Sequence, residues 1–538
     1  MPTKNLSQTS FFTPEFADPR VLAPASLPWL FRTQAAKLYP DWLFSDWHGH
    51  GRRGRDAWPA SVLMTTLLLR FSEEGMSRKA MVRRLGTDLA WRAATGLEIG
   101  GKAPSESSFR RFERYLLGRD LESGVPRYQL LHEHHVRMCV DAGIVSPEAV
   151  WAMDSTPMWC YGAARGTVRL LGDGLRGLGK QWARAKGQTL AAVATAWKLP
   201  FLLAKSTKGH FRINWRDADA RAGLIDSLAA DVLRVIEQVR AEVESVRHNK
   251  RKGLLRRCRQ LAKVIADDLE VDDSARLRVA QKVARDRTVS ITDPMARHSR
   301  KTRSQPFRGF KVHLLGEVVS GLITSLSVTP ANKGDGTVAL RLIGRAKQLH
   351  ADLSQVLGDT AYGGAELHLL GRRQHGVDVL APPLPVTRPK DRFNSTDFDI
   401  DVAAGTAKCP GGVEVAMRQG KTRRYFSWSK ASCDTCPLRG KCLTARATCK
   451  TVAINPRHEE LIVLRERWER EEIREQYRTR SQCERLVNQV VRHGGRQARA
   501  WGLQQATLQA SVIVMRCNLG RLARHLAKEE EPVDLAAA

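Results

Sequence analysis

The sequence predicts an α/β protein: a mixed sheet flanked by helices, preceded by an all-α region and interrupted by a helical insertion and a small Cys-rich one. Three observations predict this. Helical periodicity dominates from Trp58 to about Gly118, short apolar runs of strand length begin near Ser146, and cysteines concentrate between residues 409 and 449. A hydrophobic fraction of 42% over 538 residues can fill several cores, and the chain is too long for one compact domain.

Residues 1–55 are Pro-rich and aromatic, end in the polar run HGHGRRGRD, and are expected to form an irregular arm. Residues 56–145 are expected to be a helical domain. SVLMTTLLLRFSEEG, SRKAMVRRLGTD with Ser77 as N-cap, LAWRAATGL, and SESSFRRFERYLLG with Ser105 as cap all place apolar residues at helical spacing. In the last of these Phe109, Phe112 and Leu116 share one face, and Arg110 and Arg111 fall on the other. Short capped helices of this kind suit a helix-turn-helix unit that lays those arginines on DNA, and equally a scaffold or dimerisation unit.

Residues 146–520 are expected to form the α/β domain. AVWAM, FKVHLL, GLITSLSV and SQVLGD read as buried strands, the middle two joined by a Gly-containing turn. A helical hairpin is expected at about residues 218–275, because Leu224, Leu228, Val232, Val235, Val239, Val243 and Val246, then Leu254, Cys258, Leu261 and Ile265, recur at helical spacing. The Cys-rich insertion spans about residues 395–455, and residues 521–538 read as a flexible tail.

Charge narrows the partner. Lys plus Arg number 87 against 56 Asp plus Glu, a net +31, which points to nucleic acid rather than a small acidic substrate. Basic amphipathic anchors for a membrane surface are missing, and no run approaches the ~20 apolar residues of a membrane span. Without an export signal at the N-terminus, the expected compartment is the cytoplasm. There, cysteines are thiols or metal ligands rather than disulfides. Cys433, Cys436 and Cys442 in SCDTCPLRGKC, with Cys409 upstream, could hold a structural Zn²⁺; Cys449 is a spare, and reduced unligated thiols are the alternative. Cys139, Cys160, Cys258, Cys483 and Cys517 read as buried apolar residues. His132, His134 and His135 suit a helix surface better than a metal. GDGLRGLGK lacks the order of a phosphate-binding loop.

Three acids stand out. Asp154 and Asp359 each follow an apolar strand-like run, which would set them at the C-terminal edge of a sheet, and Glu484 lies in a helical, Arg-rich run. Such carboxylates can share hard divalent cations and support in-line phosphoryl transfer. Tyr477, Arg480 and Glu484 would share one helix face, where Arg steadies a phosphate and Tyr stacks on a base or bonds a phosphate.

In YRTRSQCE, the spacing of Tyr477, Arg480 and Glu484 resembles the Y-x2-R-x3-E signature of bacterial insertion-sequence DDE transposases. DSTP and GDTAYGG are similar to the family's first two acidic blocks, and ITDPMARHSRK, FRGFKVHLL and GLITSLSVTPANKGDG follow in the family's order. The N-terminal helices resemble the domain that precedes the family's core, so the likeness runs from about residue 50 to 520. One position departs: the signature's Lys, seven residues after the Glu, is Val491 here, with Arg492 next along.

The resemblance implies a ribonuclease H-like core carrying Asp154, Asp359 and Glu484 around two Mg²⁺ (or Mn²⁺) ions. It implies cleavage of double-stranded DNA at element ends and transfer of the 3′ hydroxyl into target DNA. Tyr477, Arg480, Arg485, Arg492 and Lys311 would contact that DNA, as would Arg110 and Arg111. A homodimer or larger assembly on DNA and nucleoid association follow by the same analogy, and a Cys-rich insertion before the Glu occurs in one group of the family. A ribonuclease H-like nuclease without strand transfer, or a silent transposase-derived DNA-binding protein, are the competing readings.

Overall fold

The structure, a computed structural model, describes residues 22–47, 57–98, 100–146, 148–162, 164–302, 304–385, 392–421 and 423–530. HGHGRRGRD lies outside them.

Its N-terminal part is helical: α1 (Leu27–Thr33), α2 (Ala60–Arg70), α3 (Arg78–Thr87), α4 (Leu89–Thr95), α5 (Glu106–Leu117) and α6 (Arg127–Asp141). Ser77, Asp88 and Ser105 cap α3, α4 and α5, each side-chain oxygen accepting a first-turn N–H. Helix α2 is apolar around its circumference and buried along nearly its whole length, as a central helix must be. Residues 22–47 are not the irregular arm expected. Ser26 caps α1, Pro28 sits in its first turn where a missing N–H is harmless, and Leu30, Phe31, Leu38 and Leu43 are buried. The prolines there start helices; the aromatic residues pin them down.

The main sheet contains β1 (Trp151–Trp159), β2 (Arg297–Thr302), β3 (Gln305–Glu317), β4 (Ile323–Pro330), β5 (Gln355–Leu357) and β6 (Asp378–Leu380). Its order is β2-β3-β1-β5-β6, with β4 also paired to β3. β3 runs antiparallel to β1, β2 and β4, whereas β5 and β6 run parallel to β1. The four expected strands are thus present in a mixed sheet, and two more join them. β2 is the basic run RHSRKT, which lies on the edge beside β3 and is mostly exposed, so it lacks the apolar alternation that marks a strand. β3 can pass close to β1 because residue 309 is glycine: at φ +149°, a Cβ would lie 2.2 Å from the Met158 carbonyl oxygen. On β4, the Asn518 side chain accepts the Ile323 N–H at 3.1 Å and donates to the Ile323 carbonyl at 2.8 Å, covering part of the exposed edge.

Between β1 and β2 lie α7 (Thr167–Lys186), α8 (Ala218–Glu242) and α9 (His248–Asp268), with their own core that includes Leu171, Leu178, Trp182, Val232, Val235, Leu254 and Leu261. The helical unit therefore starts about fifty residues before the expected hairpin. GDGLRGLGK is part of α7, and its Gly172 allows close packing: a Cβ there would stand 2.1 Å from the Thr207 methyl.

The remaining labelled helices are α10 (Gly336–Leu349), α11 (Ala365–His375), α12 (His458–Glu469), α13 (Glu471–Arg478), α14 (Glu484–Arg492) and α15 (Leu503–Glu530). α15 is apolar on most sides and packs on α6, β4 and the N-terminal helices; one continuous apolar cluster joins these elements to the sheet. It also runs through part of the expected tail, since Leu522 and Ala523 are buried; residues 531–538 lie outside the described set. Residues 399–453 form two three-stranded sheets closed on Phe398, Phe426, Trp428 and Val452. Among the described residues no helix is long and apolar enough to cross a membrane.

Candidate active site

The pairing of β1 with β5 builds the site. Ala152 is paired with Leu357 in parallel register, so Asp154 and Asp359, each two residues further on, emerge side by side from neighbouring chain segments. Asp359 follows the end of β5, where its carboxylate accepts the Ala361 N–H at 2.9 Å. Asp154 is not at a strand end. β1 continues to Trp159 because its other side stays paired with β3, and Asp154 pairs with Leu314 in mid-strand. The carboxylate edge of the sheet is set by where β5 stops, not by where β1 stops.

Asp154 is half-buried, and burial raises its carboxyl above the ordinary range; the Ser155 N–H and Arg480 oppose this, while Asp359 and Asp335 add to it. The Arg480 guanidinium stands 3.6 Å from Asp154, and its buried Nε makes no protein hydrogen bond. Arg480 lies in a short 3-10 segment, Thr479–Cys483, between α13 and α14. The single helix expected for Tyr477, Arg480 and Glu484 is therefore broken into an α, a 3-10 and an α piece. Tyr477 lies in the last turn of α13 with its ring 4.9 Å from that of Trp468, and its phenol is raised by burial, lowered by Arg480 and raised by Asp359 and Asp154. Glu484 opens α14 and is exposed.

Two residues at this site were quoted in the sequence blocks without a role. Asp335 accepts from Lys311 Nζ at 2.7 Å and from Ser155 Oγ at 3.0 Å, and lies 3.8 Å from His313 Nδ1. Lys311, expected on DNA, is thus engaged by a carboxylate inside the protein. Tyr362, in DTAYGG, is fully buried, and its hydroxyl makes no protein hydrogen bond. Burial raises that phenol well above its usual value, and Asp335, Asp154 and Asp359 add to the effect, so the hydroxyl shares the carboxylates' surroundings. The ring packs in the apolar cluster beside the sheet, and the unpartnered buried hydroxyl is the signal that spacing alone could not carry.

The oxygen-only donors of Asp154 and Asp359 suit a hard divalent cation. Among the described residues, however, no group of three or more His, Cys, Asp or Glu is arranged to hold a metal. Glu484 is not gathered with the two aspartates into such a set. Cys409, Cys433, Cys436 and Cys442 line one small crevice, and the Cys442 thiol is raised by burial, lowered by Lys450 and raised by the other three thiols. They are neighbours, but they too fall short of a closed ligand set. Of the other expected contacts, Arg110, Arg111, Arg485 and Arg492 are exposed, Arg110 pairing with Glu106 at 3.4 Å. His132 and His135 are buried rather than on a surface, bonded to the carbonyls of Ile323 and Leu38.

Residues 408–523 match the transposase DDE domain family, and residues 20–115 match the transposase domain family DUF772. No curated protein and no solved structure matches the chain. Both family matches are to transposase domains. Together they are consistent with an insertion-sequence DDE transposase. The DDE domain implies a ribonuclease H-like core, with which the mixed sheet agrees. That match spans Tyr477, Arg480 and Glu484 and begins after Asp154 and Asp359.

Proposed function

We propose that this transposase cleaves double-stranded DNA at insertion-sequence ends and joins the freed 3′ hydroxyl to target DNA, with Asp154, Asp359 and Glu484 as its carboxylates. The observation that carries the proposal is the side-by-side emergence of Asp154 and Asp359, with the Arg480 guanidinium 3.6 Å from Asp154. Two carboxylates held together in a half-buried place repel when both are ionised, and a cation relieves that repulsion. Asp154 and Asp359 would hold Mg²⁺ or Mn²⁺; Glu484 joins them on the strength of its spacing from Tyr477 and Arg480. When bound, two such ions supply Lewis-acid charge for an in-line displacement at phosphorus.

The protein's own groups then have distinct tasks. Arg480, with a free Nε, can turn part of its fork from Asp154 to a DNA phosphate. Tyr477, steadied by Trp468, offers a ring and a hydroxyl beside it. The Lys311–Asp335–Ser155 bridge holds β1 and β3 in position next to Asp154. Arg110 and Arg111 on α5, with Arg485 and Arg492 on α14, are proposed to bind DNA backbone. Arg492 stands in for the signature Lys that Val491 replaces. Cys409, Cys433, Cys436 and Cys442 are proposed to hold a structural Zn²⁺, the protein acts as a dimer or larger assembly on DNA, and it associates with the nucleoid.

The test uses purified full-length protein, Mg²⁺ and a labelled duplex containing the DNA that flanks the coding region. Nicking at a defined position is expected, with joined products when target DNA is added; Asp154→Ala and Asp359→Ala should each abolish it. Nicking that survives Asp359→Ala would remove the catalytic assignment, and nicking without joining would leave a nuclease.

A further inference from the structure

At the free edge of β4, between α6, α10 and the start of α15, lies a cavity of about 160 Å³ whose lining includes Tyr128, Glu133, Ser327, Arg341, Arg345 and Ser511. A water's share of liquid volume is about 30 Å³, so the space takes several waters or one tetrahedral oxyanion. Its walls carry two arginines, Arg341 exposed and Arg345 half-buried, and one acid, Glu133. Arg341 and Arg345 stand one turn apart on α10. Arg341 donates to Ser327 Oγ at 2.5 Å and Arg345 to the Leu326 carbonyl at 3.4 Å. Among the described residues, no carboxylate lies within 4.0 Å of either guanidinium.

Several half-buried arginines of the chain close on acids, as in Arg78–Glu113, Arg287–Asp268 and Arg467–Asp378, whereas Arg92 and Arg257 donate to backbone carbonyls. Here the one nearby acid, Glu133, accepts the Gln129 amide at 2.8 Å instead. His132, at the cavity wall, is lowered to about 4 by burial and adds no charge near neutral pH. Two cations therefore face one acid across a polar space, and each cation is oriented by a neutral oxygen rather than neutralised. Burial and the neighbouring Arg341 both disfavour the charged form of Arg345 and are only partly offset by Glu133 and Tyr128, a tension that a bound anion would relieve.

We propose that this cavity binds a phosphate group between the forks of Arg341 and Arg345. Planar guanidinium forks match the oxygens of a phosphate, and Tyr128 adds a hydroxyl. The position favours a phosphodiester of DNA as the source. Asp154 pairs with Leu314 and Leu314 with Leu326, so the cavity is level with Asp154 and two strand spacings away, roughly 10 Å across the sheet. DNA lying over the carboxylates could reach this edge. Phosphate binding itself does not depend on the carboxylates; only the choice of DNA as source rests on the function proposed above.

The experiment titrates inorganic phosphate into the full chain against chloride of equal ionic strength, following heat and melting temperature. Saturable phosphate binding is expected, weakened at least ~10-fold by Arg345→Gln and tightened by Glu133→Gln, opposite shifts that general damage would not produce. Asp359→Ala, which should stop cleavage, should leave phosphate binding unchanged, so failure of the active-site assignment and failure of this one are separable. For the DNA source, Arg345→Gln should flatten the salt dependence of duplex binding by about one in log–log slope. Saturable phosphate binding with an unchanged slope supports the pocket and assigns it to a free anion. Phosphate indistinguishable from chloride, or equal binding by wild type and Arg345→Gln, overturns it.

Discussion

Asp154 shows how a side chain proposed to serve catalysis can be destabilising in the fold. Burial, Asp359 and Asp335 hold its carboxyl above the usual 3.8, so the folded chain keeps a proton there to higher pH than the unfolded chain does. The sign follows: this group's contribution to stability is present below the unfolded value and is lost as pH rises through the folded one. Asp154→Asn keeps the shape and removes the charge. Its melting temperature at pH 8 should exceed that of wild type by roughly a few degrees, with the gain shrinking toward pH 4. A calorimetric scan showing equal or lower stability at pH 8 would contradict the account. The acids themselves were legible because each ends an apolar run or sits in a recognisable spacing. Asp335 and Tyr362 were not, because their roles depend on contacts made across the sheet and on burial.

Elements were legible where one face is apolar. The caps at Ser77 and Ser105 and the stripe of α8 lie where the periodicity puts them. β2 was hidden because an edge strand can be nearly all charged, and β6 because three residues carry no period. The entry to β2 contains a further element-scale device. Asp293 is fully buried just before the strand, with one carboxyl oxygen accepting the Gly502 N–H at 3.2 Å and the other without a protein partner, which ties β2 to the loop entering α15. Burial raises it from 3.8 to about 6, only partly offset by the Gly502 bond. Its stabilising contribution is therefore whole below about pH 4 and gone above about pH 6, a swing on the order of 3 kcal/mol. Urea unfolding of wild type should show this decline across that interval, and Asp293→Asn should lack it; parallel pH profiles for the two proteins would refute the assignment.

On the scale of the molecule, four apolar cores divide the work among the described residues, one of them packing α10 and α11 on the sheet. The helical insertion and the Cys-rich unit are each closed on their own apolar residues, whereas the N-terminal helices, the sheet and α15 share one cluster. The Cys-rich unit has the thinnest core, so a metal at Cys409, Cys433, Cys436 and Cys442 would matter most there. Purified protein is expected to carry about one zinc per chain, and Cys436→Ser should lose it and melt the unit first by hydrogen exchange. Metal-free protein with an equally protected unit would show that packing alone suffices. The sequence by itself determined what is written in local pattern and composition: the class of fold, the strongly basic charge balance, the strand and helix settings that single out three acids, and the clustering of thiols. Helix and strand periods, caps and charge are properties of neighbouring residues, which is why they can be read along the chain. Only the tertiary structure decided that Asp154 sits in mid-strand beside Asp359, that Lys311 is claimed by Asp335, and that two arginines face a cavity lined by a single acid. Each of those depends on strand register and on desolvation, which arise when segments distant in sequence come together.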